Sequence, residues 1–148
     1  MNKFLTILLL GGLVTLATTC KKRECADGPD SNEGIIVDSH SFECNGALVN
    51  SGILIADTAS FHQILPNDQL TIDFSKHSLL GIYVSGSSCK WKIVRSVTIK
   101  SNVNQYEYLV TVYKCGHCKK DFSDCNWVTV PKLPTGWMVG FDRQYIQE

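Results

Sequence analysis

The sequence predicts a mostly β domain with one short helix, built as a single curled antiparallel sheet or a small open barrel and stapled by disulfides. Several runs alternate apolar and polar residues, which is the pattern of a half-buried strand. One stretch alone has helical spacing. Seven cysteines are present, and six of them follow the one that ends a signal-like segment. An even number of cysteines in an exported domain indicates disulfide bonds.

The 148-residue length fits one domain. We expect a signal peptide at 1–19, a flexible tether at 20–33 and a globular domain at 34–148. Hydrophobic residues make up 44% of the chain and charged residues 19%, which is ordinary for a globular protein. The formal net charge is zero, so this exported chain has no basic excess with which to bind nucleic acid.

Acidic and basic residues are segregated along the chain. Residues 24–75 contain nine acids and no Lys or Arg, whereas residues 76–120 contain eight bases and a single acid, Glu107. Two explanations stay open. Either the two halves pair as neighbouring strands, or one of them presents a charged face to a partner.

The N-terminus carries the features of an export signal. Lys3 supplies a positive charge, and Phe4–Leu16 is an apolar segment of 13 residues, too short to span a bilayer as a helix. Small residues at positions 17–19 then precede Cys20. This arrangement resembles the bacterial lipobox, in which the cysteine is linked to diacylglycerol and becomes the new N-terminus. The resemblance implies a lipid on Cys20 that attaches the protein to a membrane.

The residues after Cys20 indicate where in the cell envelope the protein is located. Cys20 and the two lysines that follow it form a Cys-Lys-Lys sequence that is similar to the start of many lipoproteins of the Bacteroidetes type. The acidic residues that direct such lipoproteins to the cell surface do not occur at this position. We therefore expect a lipid anchor in the outer membrane, with the domain facing the periplasm rather than the cell surface.

The first half of the domain predicts two short strands and the helix. Ile35–Val37 and Ala47–Ile55 have the composition of strands, the second interrupted by a polar Asn-Ser-Gly turn. Asp57 can cap a helix that continues to Leu65, because the apolar residues between them recur at helical spacing. Pro66 ends that helix.

The second half predicts a run of strands. Their predicted bounds are Gln69–Phe74, Leu79–Val84, Lys90–Lys100, Tyr106–Tyr113, Trp127–Val130 and Trp137–Phe141. Arg95 falls on the apolar side of its strand, so we expect a carboxylate partner, for instance Asp73 or Glu107, or a bulge that displaces it. The loop between Tyr113 and Trp127 is expected to close a long hairpin.

Residues 71–82, Thr-Ile-Asp-Phe-Ser-Lys-His-Ser-Leu-Leu-Gly-Ile, resemble a strand pair of the PrcB-like domain. That family is named after an accessory lipoprotein of a spirochaete surface protease complex. A preceding helix, a following Ile93–Val97 segment and the late apolar strand ending in Pro131-Lys132 extend the resemblance over Ile53–Lys132. The resemblance implies an accessory or stabilising role in an envelope complex, and it supplies no catalytic residues.

The tetrapeptide Cys115-Gly116-His117-Cys118, followed by two lysines, matches the redox-active motif of protein disulfide isomerases. There a helix begins at the motif and lowers the pKa of the first thiol. Only 30 residues follow Cys118, with prolines and strand-like runs, which leaves no room for the rest of a thioredoxin fold. Thiol–disulfide exchange by Cys115 and Cys118 is therefore the alternative and not the leading hypothesis.

Zinc binding is a second alternative, since Cys115, Cys118 and Cys125 with His117 or Cys89 could supply four ligands. In an oxidising envelope such thiols are more often bridged. Disulfides are therefore favoured, for example Cys115–Cys125 and Cys89–Cys118. The full set of disulfide candidates is Cys25, Cys44, Cys89, Cys115, Cys118 and Cys125.

The leading functional hypothesis is a non-enzymatic, lipid-anchored envelope protein without a cofactor. Its expected partners are membrane lipid, through Cys20, and an envelope protein complex. Motifs of serine hydrolases, zinc proteases and phosphate-binding loops do not occur in the sequence. The oxidoreductase and the zinc-binding module remain as alternatives.

Overall fold

The computed structural model describes residues 28–42 and 51–148, which fold into two four-stranded β-sheets packed face to face. The prediction of a mostly β fold with one short helix and a disulfide is confirmed. The two sheets are open and do not close into a barrel. Within the described ranges, no helix has the length and apolar character needed to cross a membrane.

The described residues form eight strands and one helix. They are β1 (Ser31–Gly34), β2 (Asp38–His40), β3 (Ile53–Ile55), α1 (Thr58–Ile64), β4 (His77–Ser87), β5 (Lys90–Lys100), β6 (Gln105–Cys115), β7 (Asp121–Pro131) and β8 (Met138–Gln147). Sheet 1 has the order β1-β5-β6-β8, and sheet 2 the order β2-β7-β4-β3. The β1–β5 and β6–β8 pairs are parallel, and the other pairs are antiparallel.

The centre of the fold is one long hairpin that bends back on itself. β5 pairs with β6 across a 3-10 turn at Ser101–Val103, while β4 and β7, which flank them in sequence, pair with each other in the other sheet. Ser88 and Cys89 connect β4 to β5, and residues 116–120 connect β6 to β7. We call these seven residues the corner. The expectation that the cysteine loop closes a hairpin is wrong, because β6 and β7 lie in different sheets.

The main core lies between the sheets. Strand alternation turns one face of each long strand inward, and apolar side chains occupy most of those positions. Its buried members are Leu80, Ile82, Val84, Ile93, Val97, Tyr106, Tyr108, Val110, Val112, Phe122, Val128 and Val130. Most of the burial that stabilises the fold is therefore supplied by the folded hairpin itself.

A second apolar cluster covers the outer face of sheet 2. Helix α1 places the buried Phe61 against this face, together with Ile55, Leu79 and Trp127. The predicted cap is confirmed, because the Asp57 carboxylate accepts a hydrogen bond from the Ser60 N–H at 2.8 Å. The indole of Trp127 lies over Gly81, its cross-strand partner, where an added Cβ would come within 2.4 Å of the ring.

Some predicted elements differ from the observed ones. Gln69–Phe74 is not a strand, because its alternating Ile72 and Phe74 insert into the cluster under α1 without pairing with another strand. Ile35–Val37 lies between β1 and β2, and β1 begins at Ser31, inside the stretch expected to be a tether. Of Ala47–Ile55, only Ile53–Ile55 forms a strand, and positions 47–50 lie outside the described residues.

Candidate functional site

The corner is held by a disulfide between Cys89 and Cys118, with a Cα–Cα distance of 4.7 Å. This pairing confirms the sequence-based expectation. It joins the short side of the corner, Ser88 and Cys89, to the long side, residues 116–120. The backbone N–H of Cys118 also donates to the Cys89 sulfur at 3.0 Å. The bond therefore holds the two sheets together at the point where both arms of the hairpin bend.

A buried serine completes the corner. Ser88 is fully buried, and its hydroxyl oxygen accepts a hydrogen bond from the Cys115 N–H at 2.9 Å. The same hydroxyl lies 2.7 Å from the carbonyl oxygen of Lys90, to which it can donate. The Ser88 N–H donates to the Lys120 carbonyl at 3.0 Å. These bonds satisfy backbone groups that the bend removes from the strand ladders.

Cys115 and Cys125 are also disulfide-bonded, but not to each other. Strand alternation places Cys115 on the face of sheet 1 opposite to Val110 and Val112, outside the core. Cys125 lies on the outer face of sheet 2, packed with Trp127. The main core separates the two sulfurs, so the expected Cys115–Cys125 bond is wrong. The remaining candidates, Cys25 and Cys44, and the lipidation candidate Cys20 lie outside the described residues.

The pairing changes what the Cys-Gly-His-Cys motif can do. Cys118 is bonded to Cys89 and not to Cys115, so the two cysteines of the motif do not share a disulfide. Strand β7 begins at Asp121, so no helix starts at the motif to lower the pKa of a thiol there. The geometry of a thioredoxin-type redox pair is therefore not formed by Cys115 and Cys118.

The four cysteines that were alternative zinc ligands also form disulfide bonds. Cys89, Cys115, Cys118 and Cys125 are all disulfide-bonded, and a bridged sulfur is not available as a thiolate ligand. His117 is exposed in the corner. Across residues 28–42 and 51–148, no three His, Cys, Asp or Glu side chains are grouped so that they could hold a metal ion.

An aromatic and basic surface surrounds the corner. Trp91, at the start of β5, is 37% exposed and stacks on Phe122 with the ring centroids 4.7 Å apart. The Lys120 ammonium lies 5.6 Å from the centroid of the Trp91 ring, and the Lys114 ammonium lies 5.7 Å from that of Tyr145. Such distances allow cation–π attraction. Trp91 lies on the same face of β5 as the buried Ile93 and Val97, but its place at the strand end leaves part of it in solvent.

The charge segregation of the sequence has a spatial counterpart here. Three of the eight bases between positions 76 and 120 form ion pairs elsewhere: Lys76 with Asp73, Lys100 with Glu107, and Arg95 with Asp30 and Asp124. The other five lie at or beside the corner: Lys90, Lys92, Lys114, Lys119 and Lys120. Together with Trp91 they form what we call the basic end. This surface is the leading candidate for contact with a partner.

Arg95 is paired inside the sandwich, as a buried guanidinium requires, but with other partners than expected. Its Nη2 lies 3.1 Å from Asp30 and 3.7 Å from Asp124, and its side chain is 11% exposed. Burial raises the pKa of the Asp124 carboxyl, and the nearby Arg95 charge opposes that shift. The expected partners Asp73 and Glu107 instead bind Lys76 and Lys100 at the surface. This group is a structural tie between the residue that precedes β1 and strands β5 and β7.

A groove of about 510 Å³ opens between β8 and the start of β3. It is lined by Ser51, Gly52, Ile82, Phe141, Asp142 and Arg143. The ring of Phe141 occupies the space beside Gly52, where an added Cβ would come within 2.1 Å of it. The buried Nε of Arg143 has no hydrogen-bond partner among the described residues. The groove is a second candidate site, with far less charge than the basic end.

No family model, curated protein or solved structure matches this chain. The functional assignment therefore depends on the chemistry of the corner and of the basic end.

The sequence pattern identified the cysteines of the corner as candidate site residues. No sequence pattern indicated that Phe122 and Ser88 would belong to the same region. The neighbouring Lys119 and Lys120 were visible as a pair, but their grouping with Lys92 and Lys114 depends on the strand register.

Proposed function

We propose that this chain is a lipid-anchored protein of the bacterial cell envelope whose disulfide-stapled β-sandwich is a non-catalytic binding module. The observation that carries the proposal is the bond between Cys89 and Cys118 at the corner. It supports a structural role for Cys115-Gly116-His117-Cys118, the most reactive-looking motif of the sequence. A rigid framework then holds the lysines and Trp91 of the basic end in fixed positions, which suits recognition of a partner.

The anchor is inferred from the sequence. An apolar segment of 13 residues and three small residues lead to Cys20, in the manner of a lipobox. Three basic residues follow, which favours the periplasmic side of the outer membrane over surface export. An accessory role in an envelope complex, like that of the PrcB-like family, fits a domain of this size held at a membrane.

The anchor is tested by metabolic labelling of the full-length protein with radioactive palmitate in a bacterial host. We expect label in the wild type and none in the Cys20→Ser variant. The Cys25→Ser variant is the matched control and should be labelled as the wild type is. Absence of label from the wild type, or equal label in the Cys20→Ser variant, would overturn the anchor.

The non-catalytic assignment is tested by insulin reduction with the full-length protein in the presence of dithiothreitol. We expect no acceleration over the reductant alone, because Cys118 is held by Cys89. Turnover that disappears in a Cys115→Ser variant would contradict the proposal and establish thiol–disulfide exchange. A zinc content near one ion per chain, measured after purification under reducing conditions, would favour the metal-binding alternative instead.

A further inference from the structure

We propose that the basic end faces the membrane, with its lysines against the phosphates of anionic lipid headgroups and Trp91 at the interface. The inference rests on the proposed lipid on Cys20 and adds an orientation and a lipid chemistry to it. Three features of the described residues carry it: where the chain enters the sandwich, how far the anchor can reach, and what the entry end displays.

The chain enters the sandwich at the basic end. β1 runs parallel to β5, with Ser31 opposite Val94, so residues 28–30 lie beside the start of β5 and lead towards the corner. The Asp30 carboxylate accepts a hydrogen bond from the Ile93 N–H at 2.9 Å, which fixes this entry. A Cβ added to Gly28 would lie 3.6 Å from the Lys92 ammonium. The first described residue therefore adjoins a lysine of the basic end.

Covalent geometry limits how far the sandwich can stand from the lipid. Gly28 follows Cys20 by eight positions, and eight residues span at most about 26–29 Å. The far end of the sandwich lies beyond Lys100, about 26 Å along β5 from Lys92 at the usual rise per residue. An orientation with the far end on the membrane would need the connecting residues to be almost fully extended. An orientation with the basic end on the membrane has no such requirement.

The chemistry of the basic end suits an anionic lipid surface. Lys92, Lys114, Lys119 and Lys120 carry ammonium groups, and each lysine close to an anionic leaflet strengthens binding by about fivefold. Trp91, 37% exposed, has the amphipathic ring that is enriched at membrane interfaces.

Among the described residues, two acids lie close to the lysines of the basic end, Asp121 at the start of β7 and Glu148 after β8. The Asp121 carboxylate accepts a hydrogen bond from the Ser87 hydroxyl at 2.7 Å, and the Glu148 N–H donates to the Lys114 carbonyl at 2.9 Å. Even with Lys90 left out of the count, these two acids face four lysines among the described residues, Lys92, Lys114, Lys119 and Lys120, which leaves an excess of positive charge. The attraction to anionic headgroups therefore persists after both acids are counted.

The three tryptophans report the orientation directly. Trp91 lies at the basic end, Trp127 is fully buried in the domain, and the half-buried Trp137 lies at the far end, in contact with Tyr106. The experiment reconstitutes the full-length lipidated protein into vesicles of phosphatidylcholine, with or without phosphatidylglycerol. Tryptophan fluorescence is then quenched with brominated lipids.

We expect strong quenching in the vesicles that contain phosphatidylglycerol. The Trp91→Phe variant should lose most of the quenching, and the matched Trp137→Phe variant should retain it. Quenching that depends on Trp137, or none at all in protein whose mass confirms the lipid on Cys20, overturns the orientation and leaves the anchor intact. A mass without the lipid overturns the proposed anchor itself, so the two failures are distinguishable.

Charge substitutions test the headgroup chemistry. Replacing Lys119 and Lys120 by Gln should lower the quenching in anionic vesicles and weaken its dependence on salt. The matched control replaces Lys76 and Lys100, which are paired with Asp73 and Glu107 away from the corner, and should leave both unchanged. Equal quenching in neutral and anionic vesicles, or equal loss in both double variants, would overturn the role of the lysines.

Discussion

Gly116 lies against the sulfur of Cys89, so close that an added Cβ would come within 2.6 Å of it. The φ angle of Gly116 is +77°, in the left-handed region that other residues rarely adopt. The glycine of the Cys-Gly-His-Cys motif is therefore explained by the bend of the chain and by the disulfide of the corner. Both requirements are structural, and neither depends on thiol chemistry.

Gly116→Ala should lower the free energy of unfolding and slow formation of the Cys89–Cys118 bond. The left-handed backbone costs about 1 kcal/mol for a residue with a side chain, and the contact with the sulfur adds to it. Gly136→Ala is the matched control, because Gly136 has a φ of +81° but nothing within 4 Å of its added Cβ. Denaturant unfolding of both variants measures the difference. Equal destabilisation would contradict the close packing at the corner.

Replacing Cys89 and Cys118 together by serine should destabilise the domain by about 3–4 kcal/mol, the value expected for closing a loop of this length. The two cysteines are 29 positions apart in the sequence. Thermal unfolding without reductant measures the effect. Ser87→Ala, a change beside the corner that leaves the bond in place, serves as the control. A double variant as stable as the wild type would show that the hairpin holds its bend without the disulfide.

Arg95→Met should destabilise the fold by about 1–3 kcal/mol, because it leaves two carboxylates, one of them partly buried, without their cation. The affected carboxylates are those of Asp30 and Asp124. Since the Arg95 charge lowers the pKa of Asp124, the variant should also raise that pKa further. Lys100→Met, which breaks an exposed pair with Glu107, should cost about 0–1 kcal/mol.

Urea unfolding at several pH values measures the loss of stability in the Arg95→Met and Lys100→Met variants. NMR titration of the Asp124 side-chain carboxyl measures the change in its pKa. An Arg95→Met variant that unfolds like Lys100→Met would show that the interior pair contributes no more than a surface one.

Local patterns predicted the local structure well. Lys90–Lys100 alternates except at Val94 and Arg95 and forms β5 with the predicted bounds, and the capped helix follows Asp57 as predicted. The same rule failed at Gln69–Phe74, because Ile72 and Phe74 pack under α1 while the backbone of this segment does not join a sheet. Alternation reports which side chains are buried. It does not report whether the backbone joins a sheet.

The corner and the basic end were harder to predict from the sequence, because both depend on the register between strands that are distant in the chain. The bend that brings Cys89 to Cys118 results from two residues on one arm of the hairpin and five on the other. The partners of Arg95 are Asp30, which precedes β1, and Asp124 in β7, and no local pattern could select them. The basic end likewise forms only in the folded protein, where the corner brings together lysines from β5, β6 and the connecting loop.

His40 should make the domain less stable as the pH falls. Its ring is half-buried, stacks on Phe42 at 5.3 Å and hydrogen-bonds through Nε2 to the Thr129 hydroxyl at 2.7 Å. Burial lowers the pKa of His40, and the charges of Asp38 and Asp68 oppose that shift.

In the unfolded chain a histidine has a pKa of about 6.5. As the pH drops below that value, the unfolded state binds a proton before the folded state does, so the free energy of unfolding falls until the folded pKa is passed. Thermal unfolding between pH 7 and pH 5 should therefore show a smaller decline in stability for a His40→Gln variant than for the wild type. Equal declines in the wild type and in His40→Gln would show that the titrating group lies elsewhere.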